Sequence, residues 1–365
     1  RLYDLSSQSA CLGMIVPLSI TFSQDFRSLR EQIFQSGSNW LASFDNIPAA
    51  VFEGVSQRCT IWIGHRKPEQ ILFSAPMYRW RSQYRSILMR NLAYTTIEPI
   101  APSIDTFPKL ADSIQFSLLR VFQEECARLK HQSMLIGSVR IGYSQAARNF
   151  VSAFIEAPPT LDASSLQTTE PSQIGTVTLS SDIYRNAALA VLLGELFLWY
   201  WLVTGDGFHV TGTTIKNYLA ALSSISESGV SLLSSIGGLL HNRRYEALVF
   251  KKNAGKYVGN YNYSSLRSFT RRADMVLVAE LGFRGEVALH IFDYVQRVLS
   301  INVFAGEKGI PDSIKMKYAP LAIDMSRENS ILDAIDSRLM RYYSFTPREL
   351  DFLLNHDVNR SLQSS

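Results

Sequence analysis

The amino-acid sequence predicts an α/β fold in which strands and helices alternate at the start and a larger, mainly helical region follows. Three short apolar runs have strand character, at residues 12–19, 39–44 and 59–64. A helical pattern separates the first two runs, which is typical of an open α/β sheet. Proline-rich residues 97–108 then interrupt the regular pattern. We therefore predict two domains, residues 1–92 and residues 93–365.

The predicted elements of the first domain follow one another closely. Residues 12–19 read LGMIVPLS and predict a buried strand. Ser23 is the predicted N-cap of a helix over residues 24–35, and Gly37 marks its C-terminal stop. Residues 59–64 alternate in side-chain type, which predicts a further strand. We expect this strand to form an antiparallel hairpin at the edge of the sheet.

The second domain is predicted to be mostly helical. Apolar residues at helical spacing predict helices at residues 111–130, 186–203, 214–226 and 287–303. The chain ends in a predicted helical hairpin, in which Ser326 caps residues 328–343 and Thr346 begins a capping box followed by Pro347. Residues 158–178 are rich in Ser, Thr and Pro, and we expect them to form a flexible loop.

Composition narrows the class of protein. The chain has 365 residues and is 46% apolar, which is enough for two hydrophobic cores. Its three cysteines, Cys11, Cys59 and Cys126, are too few for a disulfide framework and predict a reducing, cytoplasmic environment. The apolar run at residues 187–203 is shorter than the roughly 20 residues of a membrane span and carries Glu195. We expect this run to be a buried helix and expect no membrane partner.

The first residues lack the features of a secretory signal peptide. They read RLYDL, without a basic start followed by a long apolar stretch. Because the first residue is Arg rather than Met, we interpret the chain as beginning inside a larger protein.

The positive charge of the chain is concentrated in one window. The net charge is only +4, yet residues 240–274 contain eight basic and two acidic residues. The basic residues alternate with aromatic ones, which is typical of surfaces that bind phosphate. The candidates for DNA contact in this window are Arg243, Arg244, Lys251, Lys252, Lys256, Asn260, Arg267, Arg271 and Arg272. Asn side chains are included because they bind base edges. The alternative is an ordinary solvated face.

A second group of candidates surrounds the strand predicted at residues 59–64. It comprises Phe52, Arg58, Arg66 and Lys67. Basic side chains and an aromatic ring together suit contact with phosphates and bases. Arginines also alternate with aromatic residues over residues 78–90. The alternatives are that Phe52 fills the core beneath its loop, and that residues 78–90 form a solvated face anchored by Trp80.

Five segments carry a resemblance to a known family. They read LGMIVPLS, SFDNIPAAVFEGVSQRCTIWIG, LFLWYWLVTGDGFHVT, FDYVQRV and ILDAIDSRLMRYYSFTPRELDFLLNHD. Together they resemble gamma-class (Taq-type) adenine-N6 DNA methyltransferases, as found in type II and type IIG restriction-modification enzymes. The resemblance implies that residues 1–92 are the distal part of a Rossmann-like methyltransferase sheet, and that residues 93–365 are a target-recognition domain. It also implies that Phe52 stacks on a flipped-out adenine, because the family carries a phenylalanine just before the final strand of its catalytic domain.

The family's cofactor loop and catalytic motif do not occur in these 365 residues. The family binds S-adenosylmethionine through a glycine-rich loop and orients the adenine amine with an Asn/Asp-Pro-Pro-Tyr/Phe motif. The one Pro-Pro pair here, at residues 158–159, is followed by Thr. The glycines of residues 205–209 (GDGFH) follow a predicted helix rather than a strand, which disfavours a cofactor loop. The resemblance therefore implies that residues upstream of Arg1 bind S-adenosylmethionine, and that this chain alone is inactive.

The resemblance implies a prokaryotic, cytoplasmic protein whose partners are double-stranded DNA and an N-terminal catalytic segment or partner chain. It leaves open whether a restriction nuclease is attached. No pair of His or Cys residues has metal-ligand spacing, so no metal site is predicted. Two alternatives remain: a non-catalytic DNA-recognition subunit of a defence complex, and a scaffold whose basic window meets an acidic protein.

Overall fold

The structure is a computed structural model that describes residues 6–7, 9–97, 106–128, 133–147, 149–300, 311–320 and 325–355. The chain is a mixed α/β protein with mixed sheets, as the predicted α/β class requires. It divides into two compact units. The first comprises Arg1–Val121, Trp199–Phe208 and Gln296–Val303, and the second comprises Phe122–Leu198, His209–Val295 and Phe304–Ser365. The first unit thus extends past residue 92 and includes residues from the middle of the chain.

A five-stranded sheet forms the centre of the first unit. Its strands are β1 (Cys11–Pro17), β2 (Gly37–Phe44), β3 (Cys59–Arg66), β4 (Leu72–Tyr78) and β5 (Thr95–Ile97). They lie in the order β1-β3-β2-β4-β5, with β2 and β4 parallel and β3 antiparallel to both of its neighbours. The three predicted strands form. The first was predicted to be buried, but every residue of β1 is exposed or half-buried, because the strand lies at the end of the sheet. The predicted antiparallel hairpin forms between β2 and β3, but it does not lie at the sheet edge, because Trp62 of β3 pairs with Leu41 on one side and with Met14 of β1 on the other.

The helix after β1 begins differently from the prediction. A short 3₁₀ turn over Gln24–Phe26 precedes helix α1 (Arg27–Gln35), and the Ser23 side chain makes no capping hydrogen bond. Instead, the buried Arg30 guanidinium donates hydrogen bonds to the backbone carbonyls of Ile20 and Ser23, at 3.0 and 2.8 Å. A buried cation needs such acceptors, and here they fix the turn that leads into the helix.

The remaining elements complete both units. The helices are α2 (Arg85–Leu88), α3 (Ser113–Arg128), α4 (Asp182–Leu192), α5 (Glu195–Thr204), α6 (Gly212–Leu219), α7 (Glu227–Asn242), α8 (Arg267–Glu280), α9 (Gly285–Ser300), α10 (Asp312–Lys317), α11 (Met325–Tyr343) and α12 (Pro347–Leu354). The strands are β6 (Val139–Ser144), β7 (Ala153–Phe154), β8 (Thr160–Asp162), β9 (Thr168–Thr169), β10 (Ile174–Leu179), β11 (Leu248–Asn253) and β12 (Lys256–Tyr261). In the second unit, α4, α7 and α8 pack together beside two small sheets, ordered β10-β6-β7 and β11-β12-β8-β9.

Residues 158–178 form strands rather than the expected flexible loop. Strand β8 pairs with β12, and β10 pairs with β6 along its whole length. Leu161, Val177 and Leu179 are buried. The many Ser and Thr residues disguised an alternating strand pattern, and Thr has a high strand propensity when one face is covered.

The apolar run predicted as one helix over residues 186–203 is broken in two. Helices α4 and α5 meet at a bend of 73°. The buried Asp274 carboxylate accepts hydrogen bonds from the backbone N–H groups of Glu195 and Leu196, at 2.8 and 3.2 Å, and so caps α5. Gly194 stands at the break because a Cβ there would lie 2.0 Å from Asp274 Oδ1. Among the described residues no single helix is long and apolar enough to cross a membrane; only this bent pair passes by length and composition.

The other helix predictions agree with the structure to different degrees. The capping box of Thr346 and Glu349, with Pro347 at the first position of α12, is confirmed. Ser326 lies inside α11 rather than before it, so its predicted capping role is wrong. The predicted helix at residues 214–226 is α6 followed by a 3₁₀ turn. The last residues of the helix predicted at 287–303, and most of the connector at 97–108, lie outside the described residues.

Candidate nucleic-acid interface

Phe52 lies on the loop that joins β2 to β3, which we call the Phe52 loop (residues 46–57). Its side chain is 44% exposed, so the alternative that it fills the core does not hold. Beside it, the Val55 N–H donates to the Phe52 carbonyl at 3.3 Å, which forms a tight turn through Gly54. Val55 is also exposed. The tip of the loop therefore presents apolar side chains to its surroundings.

A buried carboxylate closes the base of the Phe52 loop. Asp45, at the end of β2, accepts hydrogen bonds from Arg58 Nε at 2.8 Å and from Arg79 Nε at 2.7 Å. Asp45 Oδ1 also accepts a hydrogen bond from the N–H group of the next residue, Asn46, at 2.8 Å. Since Asp45 is 2% exposed, these charge-assisted bonds form in a low dielectric and hold both ends of the loop together.

Arg85 contacts the middle of the same loop. Its Nη1 and Nη2 groups donate to the carbonyls of Val51 and Ala50, the latter at 3.1 Å. Its guanidinium carbon lies 5.0 Å from the centroid of the Trp80 ring, a cation–π contact. Trp80 in turn packs in a buried cluster with Phe44. The sequence indicated arginines and aromatic rings here, but not that one arginine would bind the loop.

The predicted basic candidates near β3 differ in their existing partners and in how exposed their side chains are. Arg58 is occupied by Asp45 and lies over the Phe208 ring, with its guanidinium carbon 5.6 Å from the ring centroid. Arg66 Nη1 donates to the Ser6 carbonyl at 2.8 Å. Lys67 is exposed. Of the three, Lys67 presents its charge most openly to a phosphate, while Arg58 primarily fixes the loop.

The GDGFH segment forms a turn after helix α5, not a cofactor loop after a strand. Asp206 Oδ1 accepts the Phe208 N–H at 2.7 Å, and Gly207 has a φ of +71°. Backbone N–H groups in a strand–loop–helix arrangement are what a cofactor phosphate or carboxylate requires. This segment lacks that arrangement, so it does not fit S-adenosylmethionine.

Lys109 is a buried amine in the first unit. It is 2% exposed, and its Nζ has no hydrogen-bond partner among the described residues. Its backbone N–H donates to the Val203 carbonyl at 3.1 Å. Burial lowers the pKa of Lys109 to about 7, with nearby Asp206 opposing the shift.

Most arginines of the basic window are paired with acidic residues from distant parts of the sequence. The closest contacts join Arg243 to Glu328 (2.7 Å), Arg244 to Glu156 (2.8 Å), Arg267 to Glu195 (3.4 Å), Arg271 to Glu195 (3.0 Å) and Arg272 to Asp336 (2.6 Å). The local charge excess in the sequence is therefore largely neutralised by folding. The predicted DNA contact of Arg271 is contradicted, because its side chain is fully buried, whereas for the other four arginines DNA contact stays a prediction for side chains that are already ion-paired.

The surroundings of Arg271 show why it cannot contact DNA. It is fully buried, lies over the Phe292 ring and donates to the carbonyls of Leu353 and Leu354 at the end of α12. Beside it, burial and the neighbouring Glu195 raise the pKa of Asp274. The cluster joins α8 and α12 to Glu195 at the start of α5, all in the second unit, and the fully buried Arg271 guanidinium is not accessible to a phosphate.

The three lysines of the window remain available. Strands β11 and β12 form a hairpin whose two central turn residues, Ala254 and Gly255, have φ values of 45° and 75°. Positive φ values at both central residues are typical of a tight type I′ turn, and glycine adopts such a conformation without strain. The exposed lysines of this hairpin are Lys251, Lys252 and Lys256. Asn260 is half-buried, and its Oδ1 accepts from Ser144 Oγ at 3.3 Å.

Each unit thus carries its own candidate nucleic-acid surface: the Phe52 loop in the first unit, and the lysine hairpin (residues 251–256) in the second. Within the described part of the chain, no group of three or more His, Cys, Asp or Glu side chains has a metal-binding arrangement. Comparison of the chain with protein-family models, with curated proteins and with solved structures finds no match.

Proposed function

We propose that this chain is the base-flipping and target-recognition part of a site-specific DNA adenine-N6 methyltransferase of a restriction-modification or defence system. One observation carries the proposal: an exposed phenylalanine at the tip of a loop whose base is fixed by a buried ion-pair cluster. An exposed aromatic ring on a mobile loop would have little value for recognition. A ring on a fixed loop is suited to hold a planar ligand.

The physical role of Phe52 follows from the chemistry of adenine methylation. The exocyclic amine of a stacked and paired adenine is not accessible, so the base must leave the helix. Stacking on an aromatic ring returns about 1–3 kcal/mol per base and offsets part of the cost of unstacking. Phe52 would supply this stacking. Methyl transfer itself requires S-adenosylmethionine, bound by residues outside this chain.

The lysine hairpin is the proposed DNA contact of the second unit. The hairpin is the edge of the four-stranded sheet β11-β12-β8-β9, and the exposed lysines near its turn would neutralise DNA phosphates. Lys251, Lys252 and Lys256 lie within the last three residue pairs of the hairpin. Because the arginines of the window are ion-paired, these lysines replace them as the principal candidates.

Strand β1 supports the proposal that the sheet belongs to a larger Rossmann-like domain. Its sequence, CLGMIVP, is apolar throughout, which is typical of a strand buried on both faces. Yet β1 lies at the end of the five-stranded sheet, and Ile15 and Met14, on opposite faces, are 54% and 37% exposed. Among the described residues no strand pairs with the outer edge of β1, and a neighbouring strand from a catalytic segment would pair that edge and cover part of both side chains.

The test is a search for methylated adenine in cells that express the gene containing this chain with its natural flanking sequence. Long-read sequencing of a host without adenine methylation should show N6-methyladenine at one sequence motif. Phe52→Ala should reduce methylation by about ten- to a hundredfold, matching the loss of stacking. Val55→Ala, on the same loop, is the control and should retain it. An unmethylated host genome would contradict the enzyme and favour a non-catalytic recognition subunit.

A second measurement isolates the flipping step. Duplex DNA carrying 2-aminopurine at the methylated position should gain fluorescence when the full-length protein binds, because the unstacked base is no longer quenched. Phe52→Ala should reduce this gain while duplex affinity changes little, since phosphate contacts dominate affinity. A fluorescence gain equal to that of the unmodified protein would remove Phe52 from the proposed role.

A further inference from the structure

We infer that Arg85 is a positioning residue that holds the Phe52 loop in the conformation required for base capture. The inference rests on the proposed function of Phe52 and adds a second residue to the same site. Arg85 lies on α2, and its guanidinium binds the two residues immediately before Phe52, which are 34 and 35 positions away in sequence.

The contact uses the shape of the arginine side chain. The carbonyls of Ala50 and Val51 are consecutive along the backbone, and the two terminal nitrogens of one guanidinium reach both. A planar fork of donors fixes the orientation of the peptide unit between these carbonyls, whereas a single ammonium group acts as a point charge. The position of Phe52, the next residue, is set by that peptide unit.

The other face of the guanidinium is fixed by the core. Arg85 stacks on Trp80, which is buried beside Phe44, Ala49 and Leu88. The packed Trp80 ring limits the positions that the guanidinium can adopt. Glu53 lies 3.8 Å from Arg85 Nε, but its carboxylate is 88% exposed and adds little. Arg85 therefore transmits the rigidity of the core to the tip of the loop.

Such a tether has a consequence for binding. Ordering a flexible residue costs about 1–2 kcal/mol in backbone entropy, and a loose loop would incur this cost each time a base is captured. A loop that is already ordered avoids it, so more of the stacking energy is available to hold the base. The Asp45 cluster fixes the two ends of the loop, and Arg85 fixes its middle.

The first arm of the test measures the loop itself by hydrogen–deuterium exchange in this 365-residue chain. In Arg85→Gln, amides at the tip of the loop, residues 51–56, should exchange about tenfold faster, because a charge-assisted tether is lost. Arg85→Lys should give a smaller increase. The control is Arg81→Gln, an exposed arginine four residues earlier, which should leave the loop unchanged. Unaltered exchange in β2 and β3 would show that the variants remain folded.

The second arm measures methylation by the full-length protein on its own target duplex. Arg85→Gln should lower kcat by about tenfold and leave the affinity for duplex within twofold, because phosphate contacts are retained. The outcomes separate the two proposals. Loop exchange that is unchanged in Arg85→Gln overturns the inference even if Phe52 is required. Faster loop exchange together with wild-type kcat would remove Arg85 from base capture, and normal methylation by Phe52→Ala would refute the function of Phe52 itself.

Discussion

Whether an arginine in this protein is available to a ligand depends on its acidic neighbours rather than on the local charge of the sequence. Arg271 and Lys252 belong to the same basic window, yet one is fully buried and the other is exposed. Arg271 shares Glu195 with Arg267, and Asp274 lies close by. The buried cluster therefore balances two guanidinium groups against two carboxyl groups. Removing one member leaves a charge without its partner in a low dielectric.

Arg271→Met should destabilise the second unit by about 3 kcal/mol, because Glu195 loses its closest buried partner and α12 loses two carbonyl contacts. Urea unfolding of the variant and of the unmodified chain would measure the difference. The matched control is Arg140→Met, an exposed arginine on β6, which should cost less than about 0.5 kcal/mol. A similar loss of unfolding free energy in both variants would mean that the buried cluster contributes no more to stability than an exposed arginine does. DNA affinity of folded Arg271→Met should keep its salt dependence.

At the scale of elements, the sequence predicted what depends on local periodicity and missed what depends on distant partners. Strands β1, β2 and β3 and the capping box of α12 were all predictable, because their signals lie within a few residues. The break between α4 and α5 was not, since its cause is Asp274, some eighty residues away. The order of strands in the sheet could not be predicted for the same reason, because it depends on pairing between segments that are distant in sequence.

The sequence predicted which exposed residues form the candidate site, but not which buried or distant residues hold them in place. A solvent-exposed Phe52 and the exposed lysines agree with expectation, whereas the roles of Asp45, Arg79 and Arg85 could not be predicted. Each of these three acts on a residue that lies more than ten positions away in sequence. A local motif carries no information about such a partner.

The lysine hairpin can be tested as an independent element. Replacing Lys251, Lys252 and Lys256 together by Gln should weaken binding to a random DNA duplex, because up to three phosphate contacts are lost. The slope of log affinity against log salt should become shallower by about 0.9 for each lost contact. Fluorescence anisotropy over a series of salt concentrations would measure it. Lys216→Gln, an exposed lysine on α6, is the control. An unchanged slope in the triple variant would exclude the hairpin from the interface.

At the scale of the whole molecule, each of the two units combines a buried core with exposed apolar side chains. In the second unit Leu233 and Val276 are fully buried, while Ile183 and Met316 are exposed. In the first unit the exposed apolar residues include those along β1 and on the Phe52 loop. Exposed apolar surface of this kind is typical of a surface that binds a partner. The proposed function assigns the edge of β1 to a catalytic segment and the loop to DNA.

The stability of the first unit should depend on pH through Lys109. Its pKa is lowered by burial to about 7 from an ordinary value of 10.5. Between these two values the unfolded chain binds a proton that the folded chain does not, so the contribution of Lys109 to the free energy of unfolding rises with pH. Below pH 7 both states are protonated, and the full cost of burying the ammonium group is present. Asp206 reduces this cost without removing it.

Lys109→Met should therefore be more stable than the unmodified chain at pH 6, and its advantage should shrink by up to about 1.4 kcal/mol for each pH unit between 7 and 9. Denaturant unfolding followed by tryptophan fluorescence at several pH values would measure this margin. Comparing the two proteins at each pH removes the contribution of the buried tyrosines, whose raised pKa values act equally in both. Lys216→Met, on an exposed face, should show no margin that changes with pH. If the margin of Lys109→Met stayed constant from pH 6 to 9, the amine would carry the same charge in the folded and unfolded chain, and its burial would have to be compensated by a partner.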